Sequence, residues 1–132
     1  MSETKKPSQF SPLVLAYIGD SVYEVYVRNR VVAENPDMPP HKLHKVTTQY
    51  VKAHAQSNSM LGIEDKLSQK ELAAYKRGRN AKSATVPKNA DLTDYRRATG
   101  FEALIGYLYL NGEKERLSEL MNDAYNSAHD EN

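Results

Sequence analysis

The sequence predicts an all-α protein with one domain. Apolar residues recur at helical spacing along nearly the whole chain, no segment alternates as a strand would, and proline or glycine separates the periodic segments. The 132 residues suit one domain with its own core. Charges interrupt every apolar stretch well before the roughly 20 residues that a membrane span requires. The absence of cysteine excludes disulfides, thiolate metal sites and a cysteine nucleophile. We therefore expect a cytoplasmic protein.

The first predicted helix begins at Ser11 and Pro12, an N-cap residue followed by proline at the first helical position. Its apolar residues cover more than one face, so this helix should be central and largely buried. It should end before Asn35 and Pro36, because a residue that precedes proline disfavours the helical conformation. Residues 1–10 are polar and are predicted to form a flexible N-terminal tail.

Four further helices are predicted. The second begins after Pro40, continues to Ala53 and fades through the polar stretch 56–59. The third opens at Ser68, which has capping-box spacing to a glutamate, and Gly78 ends or loosens it. Residues 79–90 are predicted as a loop. The fourth helix covers 93–110 and stops at an Asn-Gly pair, and an amphipathic fifth helix follows. The domain then spans 11–128, and residues 129–132 form a frayed C-terminus.

Two acidic residues lie where packing alone would not put them. Asp20 is in the most apolar part of the first helix, and Glu102 is the only charged residue between Arg97 and Glu113. An ionised carboxylate removed from water without a partner costs several kcal/mol, so a compensating group is needed. A divalent cation shared by two helices would supply it, because Mg²⁺ takes oxygen ligands and keeps several waters. An ordinary salt bridge or a solvent-facing position would also explain either residue alone.

Glu24 follows Asp20 by one turn and has two interpretations. It is either a second ligand or the partner of Arg28 at i+4. The glycines that flank the two acids would let the two helices approach closely. His41 and His44 lie at i,i+3 in a polar setting, so we expect surface or structural roles for them. A histidine-based, metal-free mechanism is therefore not predicted.

Two segments resemble the conserved helices of the ribonuclease III family. Residues 15–24 are similar to its signature helix, which ends in Gly-Asp, and residues 101–112 are similar to its second conserved helix, with Phe-Glu-Ala-Leu-Ile-Gly. The resemblance covers about 11–126 and implies a helical bundle like the ribonuclease III endonuclease domain. It implies an endoribonuclease that hydrolyses double-stranded RNA with Mg²⁺, and it gives Asp20 and Glu102 catalytic and metal-ligand roles.

No double-stranded RNA-binding domain follows the resembling segment, an arrangement similar to Mini-ribonuclease III, the compact bacterial form of this family. That resemblance implies a role in maturing the ribosomal (23S) RNA precursor. The chain departs from the family pattern at two positions, because a family glutamate falls on Ala16 and a family aspartate falls on Thr99. Glu24 and Asp94 are candidates to replace the missing carboxylates, although neither is at a matching position.

A basic region precedes the second conserved helix. The net charge of the chain is only +1, yet seven cations against two aspartates lie between residues 76 and 97. Cations on a loop beside a metal site suit contacts with RNA phosphates, although an ordinary solvated loop would have the same composition. The predicted RNA-binding residues are Lys76, Arg77, Arg79, Lys82, Lys88, Arg96 and Arg97.

The two strands of duplex RNA favour a C2 homodimer with two sites, and the family resemblance implies the same. The interface is expected near Tyr17, Tyr23 and Phe101, most of the other tyrosines are expected in the core, and a ribosomal protein is a further candidate partner. Two other functions stay open. The missing carboxylates would suit an inactive double-stranded RNA-binding module associated with ribosome assembly, and a helical protein-interaction domain ranks last.

Overall fold

The computed structural model describes residues 5–82, 86–88 and 90–129, and this part of the chain is helical with no strand. Two short 3-10 turns lie at Pro7–Gln9 and Glu64–Lys66. The α-helices are α1 (Pro12–Glu34), α2 (Pro40–Val51), α3 (Ala53–Ile63), α4 (Gln69–Asn80), α5 (Leu92–Leu110) and α6 (Lys114–Ser127). The all-α prediction is confirmed.

Helix α5 is the centre of the bundle. Most of its own side chains between Ala98 and Leu108 are small or apolar and are buried. It therefore contacts α1, α3, α4 and α6 at once. The core that these helices share includes Tyr23 of α1, Met60 of α3 and Tyr75 of α4, all shielded from solvent. The Tyr23 ring meets the Phe101 ring edge to face at 4.8 Å between centroids, which joins α1 to α5 at the level of the conserved acids.

Several predicted helix boundaries are confirmed. Ser11 caps α1 through its hydroxyl, which accepts a hydrogen bond from the Val14 amide. Ser68 and Glu71 form the predicted capping box of α4. Gly112 follows α5 with a φ of 71°, the left-handed conformation that favours glycine after a helix.

The region between α1 and α4 differs from its prediction. One helix was expected through Ala53, but Lys52 is extended (φ −66°, ψ 156°) and both ends α2 and begins α3. Three of the polar residues that suggested fading, Gln56, Ser57 and Ser59, are instead buried, and the two serines have partners on α5 and α6. Ser59 donates to the Ala124 carbonyl at 2.7 Å, and Ser57 accepts from the Arg97 guanidinium at 2.8 Å.

Three smaller expectations also change. Helix α1 is only partly buried, because an apolar face that includes Tyr17 and Val25 stays exposed. Helix α4 continues past Gly78, whose missing side chain lets α4 lie against Ala103 of α5. In the predicted tail, Phe10 packs against the domain; residues 1–4 and 130–132 and, in the predicted loop, 83–85 and 89 lie outside the described residues.

Candidate active site

The site forms where α1 and α5 cross with their backbones in contact. A methyl group on Gly19 would collide with the backbone carbonyl of Glu102, and one on Gly106 would collide with the carbonyl of Leu15. Glycine at both positions therefore allows a separation that other residues would prevent. Because Asp20 follows Gly19, the crossing brings the two predicted carboxylates, Asp20 and Glu102, next to each other.

The two carboxyl groups have unequal surroundings. Glu102 is half-buried and Asp20 is exposed, so the expectation of a desolvated setting is wrong for Asp20. Burial, followed by the charge of Asp20 and a hydrogen bond with it, raises the pKa of Glu102 to about 8. In the metal-free protein at neutral pH, Glu102 therefore holds a proton beside an exposed acid.

Helix α3 contributes a third polar group that sequence reasoning missed. Gln56 is 1% exposed, and its amide lies beside the Glu102 carboxyl, whose pKa it lowers in opposition to burial. Its Nε2 nevertheless makes no hydrogen bond to any residue that the structure describes. A sequence signal existed, because Gln56 precedes the buried Met60 and Ile63 by four and seven residues and so shares their helix face.

The two positions where the family carries further acids do not supply ligands. Ala16 is buried in a small apolar cluster with Leu15 and Ala103, against which Phe10 packs. The Thr99 hydroxyl donates to the backbone carbonyl of Tyr95 at 3.0 Å, one turn earlier in α5. That bond occupies the hydroxyl proton within the helix itself.

Neither proposed substitute acid is free for the site. Glu24 pairs with Arg28 at 2.7 Å, in agreement with the salt-bridge interpretation. Asp94 lies 2.8 Å from Nδ1 of His54, and although burial would raise the pKa of Asp94, hydrogen bonds from His54 and Ser57 hold it below its ordinary value.

No further metal-binding cluster joins the pair. Among the described residues, no group of three or more His, Asp or Glu side chains is arranged to hold an ion. His41 and His44 are exposed on α2, as expected for surface residues. Among the described residues, Asp20 and Glu102 are therefore the two acids that could hold a cation at this site, with other positions left to water or substrate oxygens.

The seven predicted RNA-binding cations fall into two groups. Arg77 donates to the backbone carbonyls of Ser8 and Phe10, Arg79 lies over the Tyr75 ring, and Arg97 bonds Ser57. These three arginines already have intramolecular partners. The exposed remainder comprises Lys76, Lys82, Lys88 and Arg96.

Helix α1 carries an exposed apolar surface beside the two carboxylates. Tyr17, one turn before Asp20, is 81% exposed, and an open groove lined by Val22, Val25 and Tyr109 follows along the same helix. Tyr23 and Phe101 are fully buried within the chain, so the interface expected near them would use neighbouring residues instead of these two side chains. The burial expected for most other tyrosines holds for Tyr75 and Tyr125 and fails for Tyr109.

None of the helices in the described residues is long and apolar enough to cross a membrane.

The chain is similar to known proteins in sequence and, for one solved structure, in fold. The Ribonuclease III domain model matches residues 13–113. Mini-ribonuclease 3 of Clostridium tetani is 55% identical over 113 residues, which cover 86% of this chain and 75% of that protein. Mini-ribonuclease 3 of Brevibacillus brevis is 48% identical over 92% of this chain and 90% of its own length. A crystal structure of a Fusobacterium nucleatum protein, 28% identical, aligns with a TM-score of 0.81 over 89% of this chain and 94% of that one.

Proposed function

This chain belongs to the ribonuclease III family, in the Mini-ribonuclease 3 group, and we propose that it cuts double-stranded RNA by Mg²⁺-dependent hydrolysis during maturation of the ribosomal (23S) RNA precursor in the cytoplasm. The observation that carries the proposal is the contact between α1 and α5. It brings Asp20 beside Glu102, and both match metal-ligand positions of the family's two conserved helices.

The chemistry of the pair fits Mg²⁺. Asp20 and Glu102 offer hard oxygen ligands, and one exposed and one half-buried carboxylate leave room for water and for phosphate oxygens. Mg²⁺ is commonly held by one or two carboxylates plus substrate oxygens rather than by a complete protein cage. Burial and then the closeness of the Asp20 carboxylate raise the pKa of Glu102. A shared cation would stabilise the same close placement of the two carboxylates.

The residues of the chain then have distinct tasks. When bound, the cation would activate a water nucleophile and stabilise charge on the phosphate. Asp20, exposed on α1, would contact it from the solvent side, and Glu102 would contact it from the core side. Glu102 holds its proton in the metal-free protein, so cation binding at neutral pH should release that proton to solvent.

The exposed cations between α4 and α5 are the proposed contacts to RNA phosphates. Lys76, Lys82, Lys88 and Arg96 meet this requirement in the free protein. Arg77, Arg79 and Arg97 could join them only by leaving the partners that they now have. With such contacts, the logarithm of the RNA-binding constant should fall linearly with the logarithm of the salt concentration. The slope corresponds to about one released ion for each phosphate neutralised.

The exposed apolar face of α1 supports the proposed homodimer. Tyr17 and Val25 leave apolar surface in water that a second copy could cover, and Tyr17 lies one turn from Asp20. A two-fold dimer through this face would set two sites near one interface, as two-strand cleavage requires. Replacement of Tyr17 by glutamate should therefore lower the mass measured by light scattering to that of a monomer. If the dimer survives this change, its interface lies on another surface of the protein.

Cleavage of a long labelled RNA duplex tests the function directly. The wild type and Asp20→Asn are compared in Mg²⁺ and in EDTA, with Glu24→Gln as the matched control from the same helix. We expect the wild type and Glu24→Gln to cleave the duplex in Mg²⁺ and not in EDTA. Asp20→Asn should cleave it under neither condition. No cleavage by the wild type in Mg²⁺, with duplex binding retained, would refute the enzyme.

One specific observation favours an alternative, an inactive RNA-binding module associated with ribosome assembly. Ala16 and Thr99 stand where the family carries two acids, and the candidate substitutes Glu24 and Asp94 pair with Arg28 and His54 instead. The cleavage assay separates the two functions, since the module predicts salt-sensitive duplex binding without turnover. A ribosomal protein partner would be tested in either case by co-purification with ribosomal particles.

A further inference from the structure

The second carboxylate of the site lies against a buried polar group whose hydrogen-bonding capacity is unused. Gln56 of α3 is 1% exposed, and its Nε2 makes no hydrogen bond to a described residue. Buried amide donors are nearly always paired, because their desolvation is costly. An orphaned donor at this depth therefore calls for an explanation from its surroundings.

Those surroundings include one of the two carboxyl groups of the site. The Gln56 amide lies next to the Glu102 carboxyl, and other polar residues of α3 have their partners elsewhere. Ser57 accepts from Arg97, and Ser59 donates to the Ala124 carbonyl. The free N–H of Gln56 is thus left for Glu102 alone or for a ligand that Glu102 holds.

The two missing family acids make such a group more important. With Ala16 and Thr99 in place of two family acids, Asp20 and Glu102 are the two candidate acidic ligands among the described residues, and a carboxylate with few neighbours is poorly fixed in orientation. Groups that hydrogen-bond to metal ligands orient them and commonly account for 10- to 100-fold in metal affinity. An amide N–H can do this without adding a further negative charge.

We propose that Gln56 is the positioning residue of the metal site, with its Nε2 hydrogen-bonded to the Glu102 carboxylate when that carboxylate holds a divalent cation. The inference rests on the proposed function, since it needs a cation at Asp20 and Glu102. It assigns a role in the site to α3, which carries neither of the two conserved acids. Gln56 acts through Glu102 and does not itself ligate the ion.

Mn²⁺ binding to the full chain, measured by electron paramagnetic resonance without RNA, tests the assignment. Gln56→Met keeps the length of the side chain and removes the amide, and it should raise the dissociation constant for Mn²⁺ by about 10-fold. The denaturant midpoint in EDTA should be unchanged or higher, because the change removes an unpaired buried donor. Ser59→Ala is the control, a buried polar change on α3 that should lower stability and leave the Mn²⁺ constant unchanged.

Nuclear magnetic resonance of the wild type gives a second test that does not depend on a variant folding. With ¹⁵N-glutamine labelling, only four side-chain amides appear, from Gln9, Gln49, Gln56 and Gln69. Saturating Mg²⁺ should shift the Gln56 side-chain protons and slow their exchange with solvent, whereas those of Gln49 should not respond.

The outcomes separate this inference from the proposed function. If the wild type binds no Mn²⁺, both are overturned. If the wild type binds Mn²⁺ and Asp20→Asn does not, while Gln56→Met binds as tightly as the wild type, only the role of Gln56 is overturned. A Gln56 resonance that ignores Mg²⁺ in a protein that binds it overturns that role as well.

Discussion

Replacing Glu102 by glutamine should stabilise the metal-free protein at high pH while it abolishes cleavage. Burial, followed by the charge of Asp20, raises the pKa of Glu102 from 4.5 to about 8. Below pH 4.5 the carboxyl is protonated in both the folded and the unfolded chain, so it has no effect on pH dependence. Between these values the unfolded chain releases the proton while the folded chain keeps it, so stability falls as pH rises. Above pH 8 the loss is complete.

The size of the effect follows from that interval. A rise in the pKa of Glu102 from 4.5 to about 8 corresponds to a loss of folding free energy of at most about 5 kcal/mol, since each pH unit contributes about 1.4 kcal/mol. Because the half-buried side chain relaxes towards water once it is charged, we expect about 2–3 kcal/mol to be observed. Glutamine has nearly the same shape as glutamate and does not ionise. The free energy of unfolding of Glu102→Gln should therefore exceed that of the wild type by an amount that grows from pH 5 to pH 9.

Urea unfolding in EDTA at pH 5, 7 and 9 measures this difference. Glu24→Gln serves as the control, because Glu24 forms an exposed pair with Arg28 whose loss should change stability by at most about 1 kcal/mol. Parallel pH profiles for the wild type and Glu102→Gln would refute the reasoning, since Glu102 would then ionise alike in both states. Addition of Mg²⁺ at pH 9 should remove the disadvantage of the wild type and leave Glu102→Gln unchanged.

Three further variants probe the framework of the site. Gly19→Ala should cost more than about 3 kcal/mol and abolish cleavage, because its methyl group collides with the Glu102 carbonyl; circular dichroism and the duplex assay check both. Arg116→Leu should destabilise by about 3–5 kcal/mol, measured by urea unfolding, because it leaves the buried Glu71 without its charge partner at 2.9 Å. Since Arg116 lowers the pKa of Glu71, that contribution should disappear as pH falls through the lowered value. Tyr23→Phe should be neutral or stabilising in a thermal melt, because the buried Tyr23 hydroxyl has no partner among the described residues.

Local signals in the sequence predicted the helices that carry the acids. Ser11 and Pro12 mark the start of α1, and Gly112 marks the end of α5, because caps and turns depend on adjacent residues alone. Asp20 and Glu102 stood out as charges within apolar runs, and the family motifs paired them. Even so, the sequence could not show that Asp20 is exposed, since its helix has an apolar face that the other described residues leave uncovered.

The contribution of α3 could not be predicted in the same way. The break at Lys52 has no glycine or proline to mark it, and it lies between α2, which packs mainly on α1, and α3, which packs on α5 and α6. Polar residues such as Gln56 and Ser59 suggested an exposed, fading helix, but burial depends on partners that are distant in the sequence. Ser59 finds its acceptor 65 residues away, at Ala124. Tertiary contacts of this kind override local composition.

The packing also explains why the chain can hold a site with two carboxylates instead of four. A glutamate in place of Ala16 would enter the cluster of Leu15, Ala103 and Phe10, where it would lose hydration and add a second negative charge near Glu102. In the metal-free protein that charge would oppose folding further, because Glu102 already keeps its proton beside Asp20 alone. With two acids the site is less costly to fold empty and, as proposed, would hold a cation less tightly. Neutral donors and substrate oxygens would then have a larger share in fixing the ion.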